Sequence, residues 1–329
     1  MSDWAATDYD QELFESELDS FVPERIFDAH AHLYNVDYFP QDDIPPALLR
    51  GPRVVDADVY LAHMAELLPG RSISALAFPF PRGRLQMAPA NGFVAAESAK
   101  IPGSRGQMMV APTDDPEMIR ETVRSKGLVG LKCYHLYSPV TPTMHSPIEA
   151  FLPEEQVRVA HEERLSITLH IVRERSLADP ENQQTIRRYA ETYPDMRLIL
   201  AHAGRGFNPH HTAEGIGSLA GLTNVYFDTA VVTDYGAIEA IIDAMGHRTL
   251  LYGSDFPVSH ARGREVALGD SFVWLHPDDL PDSPYGPIRA AFVGFESLRV
   301  HKLVARHLRL TDSQVEDIFY GNAARLYDL

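Results

Sequence analysis

Cysteine is almost missing from this chain: Cys133 is the single one in 329 residues. No disulfide can form within the chain, and the composition fits a reducing compartment, with the cytoplasm as the expected location. Long apolar runs are missing too, and nothing approaches the length of a membrane span. Basic residues are scarce: 29 Lys and Arg stand against 46 Asp and Glu, a formal net charge of -17. That balance argues against a nucleic-acid partner, which needs a basic surface. It leaves room for a local basic pocket. The first 20 residues are acidic and polar, unlike a secretory signal. There is no internal repeat and no low-complexity tract. What the chain does have is 45% hydrophobic residues, enough for a large core.

Eight short apolar runs rich in branched residues punctuate the sequence, at 26–32, 73–78, 107–111, 128–133, 166–171, 197–202, 224–229 and 249–255. Continuous rather than alternating apolar character predicts strands covered on both faces. Helical patterning lies between them at 115–126, 154–164, 181–193 and 235–245. Asp115 and Pro116 suit a cap and first turn, and Thr311 with Gln314 suits a capping box for a helix over 312–320. Eight strands alternating with helices predict a (β/α)8 TIM barrel, an α/β single domain over 26–329 preceded by an N-terminal extension, 1–25. An open doubly wound sheet is the alternative. The Pro- and Asp-rich stretches 35–58 and 256–287 are expected to be loops over the C-terminal face.

The chemistry-bearing residues fall at strand ends. His30 and His32 close the first run, and residues two apart on a strand share a face. His170 closes the fifth, His202 the sixth and Asp255 the eighth. A lone strand histidine is more often a hydrogen-bonded core residue. Five such positions at the end of a barrel where enzymes place their chemistry argue instead for a divalent metal site.

The His30-x-His32 pair, His170, the His202-Ala203-Gly204 turn, the Gly253-Ser254-Asp255-x-Pro257 motif and the closing Tyr320-Gly321-Asn322-Ala323-Ala324-Arg325-Leu326 resemble the amidohydrolase superfamily. They look most like its amidohydrolase-related branch, which also holds nonoxidative decarboxylases. The resemblance runs from residue 26 to 327. It implies that His30, His32 and His170 hold the metal and that Asp255 is both ligand and proton acceptor. It places His202 beside the metal as a proton-handling or orienting group. One divalent ion is implied, Zn before Mn. In binuclear members a lysine at the position of Lys132 is carboxylated and bridges a second metal; one metal and a free amine are expected here. Homodimers are common in such proteins.

Arg173, Arg205, Arg262 and Arg264 follow the strands closely. In an acidic protein, arginines near a metal mouth suggest an anionic substrate, because the guanidinium fork suits carboxylate or phosphate. For any single arginine, a rim salt bridge is the plainer reading. Lys132, His135, Arg173, Arg205 and Arg262 are the expected substrate contacts. Tyr34, Tyr38, Phe39, Tyr134 and Tyr137 either line a pocket or pack loops. The pair His210-His211 reads as a solvated loop feature.

Three functions follow. The first is a metal-dependent hydrolase, in which activated water attacks an amide, lactone or ester carbonyl of a small anionic substrate. The second is a metal-dependent nonoxidative decarboxylase (a carboxy-lyase) of a carboxylated ring or enol acid; His30, where some aromatic-acid decarboxylases carry Glu, weighs against it. The third is a ligand-binding barrel without catalysis, which the intact ligand set disfavours.

Overall fold

The computed structural model describes residues 4–279, 283–284 and 286–329. Eight parallel strands form one sheet in sequential order: β1 Arg25–His32, β2 Ser72–Phe78, β3 Arg105–Val110, β4 Gly130–Tyr134, β5 Ser166–His170, β6 Arg197–Leu200, β7 Val225–Asp228 and β8 Leu250–Leu251. Beyond β8 the chain stays extended and closes the ring on β1, with Ala29 N donating to Tyr252 O (2.8 Å), Asp255 N to His30 O (2.8 Å) and His32 N to Phe256 O (3.0 Å). This is the expected (β/α)8 barrel, and all eight predicted runs lie on it.

The helices between strands start where the turn chemistry says they should. Asp115 accepts from Glu117 N and Met118 N with Pro116 in the first turn of Pro116–Lys126. Asp179 and Pro180 do the same for Pro180–Thr192, and Asp234 caps Tyr235–Met245. Each cap satisfies amide groups that the first turn leaves without partners. The Thr311–Gln314 capping box is present, but its helix is less regular than the patterning suggests. Asp312–Glu316 passes through a wider turn, Asp317–Gly321, into Asn322–Tyr327.

β1 carries one extra residue relative to β2: Asp28 pairs with Ala75, and the next pairing is Ala31 with Ala77. A bulge switches which residues face inward. Below it, Phe27 and Ala29 join Leu76, Phe78, Ile199 and Leu251 in the barrel interior. Above it, His30 and His32 both abut the Phe78 ring, at 4.8 and 4.9 Å. Asp28 points outward to the Tyr60 hydroxyl (2.8 Å). Tyr327 plugs the interior from beneath, stacked on Phe27 at 5.6 Å.

The N-terminal segment is packed on the barrel. Leu13, Phe14 and Leu18 are buried in the main cluster, and Glu17 pairs with Arg299 on helix Val293–His307. Of the two long stretches, 35–58 is tied across its ends by a short ribbon, Tyr34–Asn35 with Val54–Val55. The stretch 256–287 was expected to be irregular, and it holds a hairpin instead: β9 Arg264–Leu268 with β10 Ser271–Leu275. Glu265 anchors this hairpin, its carboxylate accepting from Thr233 N. The His210–His211 reading is also corrected. Both lie on helix Pro209–Gly215, and buried His211 pairs with Asp270 of the hairpin turn at 2.9 Å.

Candidate metal centre

His30 and His32 project from the top of β1 with ring centroids 5.3 Å apart. Gly253 makes room for them, since a Cβ there would sit 3.0 Å from His30 Cβ and 3.2 Å from Ala230 Cβ. Asp255 follows with a left-handed backbone, φ 55°. Its Oδ1 lies 3.2 Å from His32 Nε2 and 3.5 Å from His30 Nε2.

The far side of each ring is fixed. His32 Nδ1 lies 3.1 Å from Pro79 O, and a carbonyl only accepts, so Nδ1 carries the proton. His30 Nδ1 donates to Asp228 Oδ2 at 2.9 Å. Both imidazoles are fully buried, and burial pushes their pKa values down. Their Nε2 lone pairs therefore converge on a carboxylate oxygen. Three acceptors that close, in a buried site, need positive charge around them; the Lys132 amine meets one of the three, His30 Nε2, and burial disfavours a second proton on either ring. A divalent cation satisfies all three, and carbonyl- or carboxylate-held imidazoles are the usual support for such ligands. These three residues form one group whose ligand atoms lie within 4.8 Å of one another; His30, His202 and Asp228 form a second.

His170 stands one ring further out. Its ring lies 5.1 Å from His202 and 4.5 Å from Tyr134. It belongs to neither group, and its buried Nδ1 has no hydrogen-bond partner among the described residues. His202 Nδ1 donates to Ala230 O at 2.9 Å, which makes Nε2 the unprotonated nitrogen of the neutral ring. Lys132 is fully buried, with Nζ 3.3 Å from His30 Nε2 and 4.2 Å from the Phe78 ring centroid. Burial pushes its pKa down to about 8. His135 is stacked on Tyr134 at 4.9 Å, and its Nδ1 meets Thr143 Oγ1 at 3.0 Å. Burial, then the Arg205 charge, lower it to about 4.

Two expected substrate contacts are committed elsewhere. Arg262 reaches away from the mouth to Asp10 (2.7 Å) and the Phe292 ring, tying the N-terminal segment to the barrel. Arg173 is taken by Asp179 (2.9 Å) and Glu181 (2.7 Å) at a helix start. Conversely, two carboxylates carry roles that residue patterns did not assign. Asp228, closing β7, holds His30 Nδ1 and also accepts from His202 N at 2.9 Å. Its place at a strand end in Asn224-Val225-Tyr226-Phe227-Asp228 was the available signal. Asp28 accepts from Ser254 N (2.7 Å) and His30 N (3.0 Å), fastening the two ligand-bearing segments together.

The amidohydrolase family model matches residues 27–329. Among solved structures, the barrel is similar to an amidohydrolase from Burkholderia multivorans with bound Zn (18% identity, 92% of this chain and 99% of that chain, TM-score 0.57). It is also similar to 4-oxalomesaconate hydratase from Rhodopseudomonas palustris (16%, 92% and 95%, TM-score 0.54) and to 5-carboxyvanillate decarboxylase from Sphingomonas paucimobilis (14%, 93% and 100%, TM-score 0.52). At these identities the likeness is one of fold. No curated protein matches the sequence. With a family match over nearly its whole length, this chain is an enzyme and belongs to the amidohydrolase family.

Proposed function

We propose that this enzyme is a metal-dependent hydrolase that cleaves an amide, lactone or ester bond in a small anionic substrate. The observation that carries the reading is the convergence of His30 Nε2, His32 Nε2 and Asp255 Oδ1 in a buried site. His30, His32 and Asp255 would hold one divalent cation, with His170 as the further ligand. Zn is the proposed ion, since imidazole and carboxylate donors suit it and the Burkholderia relative binds it. When bound, such an ion polarises a carbonyl and lowers the pKa of water toward ~7.

The chain's own groups do the rest. Burial pushes the Asp255 carboxyl up, and its interactions with His30, His32 and His202 outweigh that, holding it at about 2. It is ionised at neutral pH and can take a proton from the attacking water. His202 presents its Nε2 beside it for proton transfer to the leaving group. Lys132 stays a free amine against His30, and a second metal is not needed. The described residues contain no helix long and apolar enough to cross a membrane. The single cysteine fits a reducing compartment, so we place the enzyme in the cytoplasm, acting on a small molecule.

A carboxy-lyase reading has support of its own: the 5-carboxyvanillate decarboxylase shares this barrel. The deciding experiment is metal content of protein purified without chelator, followed by assays that separate acid release from carbon dioxide release on lactones and carboxylated rings. About one equivalent of metal with acid release is the expected result. Carbon dioxide release would replace the hydrolase with the lyase. No metal, with none taken up on reconstitution, would overturn both.

A further inference from the structure

Among the arginines that follow the strands, Arg205 stands apart. Arg173, Arg175, Arg262 and Arg264 each pair with Asp or Glu. Arg205 has no carboxylate or carbonyl partner among the described residues. Its guanidinium lies over the face of Phe272, 5.4 Å from the ring centroid. The chain carries 46 acidic side chains, so supplying one would be easy. A half-buried guanidinium without a counter-ion is costly, because its desolvation goes uncompensated.

The backbone adds to that cost in order to place it. His202, Ala203, Gly204 and Arg205 take φ values of 55°, 55°, 68° and 58°, one left-handed turn closed by Gly206 N donating to His202 O. Left-handed backbone is unfavourable for residues other than glycine, and such strain persists mainly where a site uses it. A turn of this pitch brings the first and fourth residues to one side, setting Arg205 beside His202. Arg205 shares the Phe272 ring with Phe207, and the Phe207 ring in turn lies against His202, so the guanidinium stands on the His202 side of the barrel mouth. An aromatic wall completes the setting: Phe207 lies 5.1 Å from His202, Phe272 of the hairpin 4.9 Å from Phe207, and Trp274 5.5 Å from Phe207.

We propose that Arg205 is the specificity-determining residue, taking a carboxylate of a planar, carboxylated substrate that lies against the Phe207–Phe272 wall. This rests on the barrel mouth being the active site and names its substrate class. A guanidinium fork binds carboxylate through two parallel hydrogen bonds. That pairing stabilises the anion, so the carboxylate held by Arg205 is one the substrate keeps.

The test is calorimetric binding of isophthalate, isophthalamide and inorganic phosphate to the wild-type chain and to Arg205→Gln, Arg205→Lys and Arg173→Gln. Each is measured with Zn loaded and with metal stripped. Isophthalate should bind wild type better than isophthalamide does. Arg205→Gln should weaken isophthalate about ten- to a hundredfold, the loss expected for charged hydrogen bonds, and leave isophthalamide unchanged. Arg173→Gln should match wild type. Arg205→Lys keeps the charge and loses the fork, so it should fall between; it carries the test if Arg205→Gln does not fold. Equal isophthalate binding by wild type and both Arg205 variants would overturn the proposal, as would absence of binding to wild type at millimolar concentration. Phosphate binding more tightly than isophthalate would also overturn the carboxylate assignment. The metal-stripped arm reads Arg205 directly, so a failure of the metal hydrolase reading is seen separately.

Discussion

At the scale of single residues, the site is organised by carboxylates that need not touch substrate. Asp228 fixes His30 by one oxygen and the His202 backbone by the other. Replacing Asp228 by Asn keeps the shape and removes the charge that makes His30 a strong donor. Metal affinity should then fall about ten- to a hundredfold, the usual loss for a supporting carboxylate; a competitive chelator titration reads it directly. Asp255→Asn should lower kcat by roughly a hundredfold to ten-thousandfold, the value of a positioned proton acceptor, with an unchanged far-UV circular dichroism spectrum. Full activity in that variant would remove the role given to Asp255. The histidines and Asp255 were legible in sequence because each ends an apolar strand. Arg262 and Arg173 make the salt bridges that were the plainer reading of any single arginine, because nearness in sequence to a site residue says nothing of where a long, flexible side chain finds its counter-charge. Arg262 finds Asp10, 252 residues away in sequence.

At the scale of elements, the hairpin β9–β10 carries its own titration. Glu265 is almost fully buried, and burial pushes its carboxyl up to about 8 from an ordinary 4.5, against the lowering effect of Thr233 N. A carboxyl raised on folding contributes stability that is present below 4.5 and is lost as pH rises through about 8. The melting temperature of the wild type should therefore decline across that window more steeply than that of Glu265→Gln, which has no proton to lose; parallel melting curves from acid to mildly alkaline pH test it. The hairpin itself was hidden in a stretch rich in Pro and Asp. Arg264–Leu268 and Ser271–Leu275 are short and half exposed, and their pairing depends on a turn at Gly269-Asp270 that composition alone blurred. The β1 bulge was equally hidden, since it is defined only against β2.

At the scale of the whole molecule, the C-terminal motif is a structural fastening. Asn322 Nδ2 donates to Leu250 O (2.7 Å) and His247 O (2.8 Å), holding the last helix under β8. That places Tyr327 beneath the barrel, its hydroxyl 3.1 Å from Ser166 Oγ. Tyr327→Ala should cost about 3–5 kcal/mol in a urea unfolding series, as for other buried aromatics. Tyr327→Phe should cost only about 1 kcal/mol, one hydrogen bond. Metal should stabilise the whole domain by mass action, about 2.7 kcal/mol at a free concentration a hundred times Kd; a chelator-induced drop in melting temperature, reversed by Zn, checks it.

The sequence by itself determined the eight-stranded barrel and the histidines and aspartate at its mouth. Both rest on local patterns, runs of branched apolar residues and polar residues at their ends, which one chain displays without reference to its fold. The tertiary structure alone decided which charges serve the site. It gave Arg262 to Asp10 and Arg173 to Asp179, brought Asp228 to His30, and left Arg205 over the Phe272 ring with no counter-ion among the described residues. Pairing between charges is a matter of distance in space and of burial, and neither is written in the order of residues.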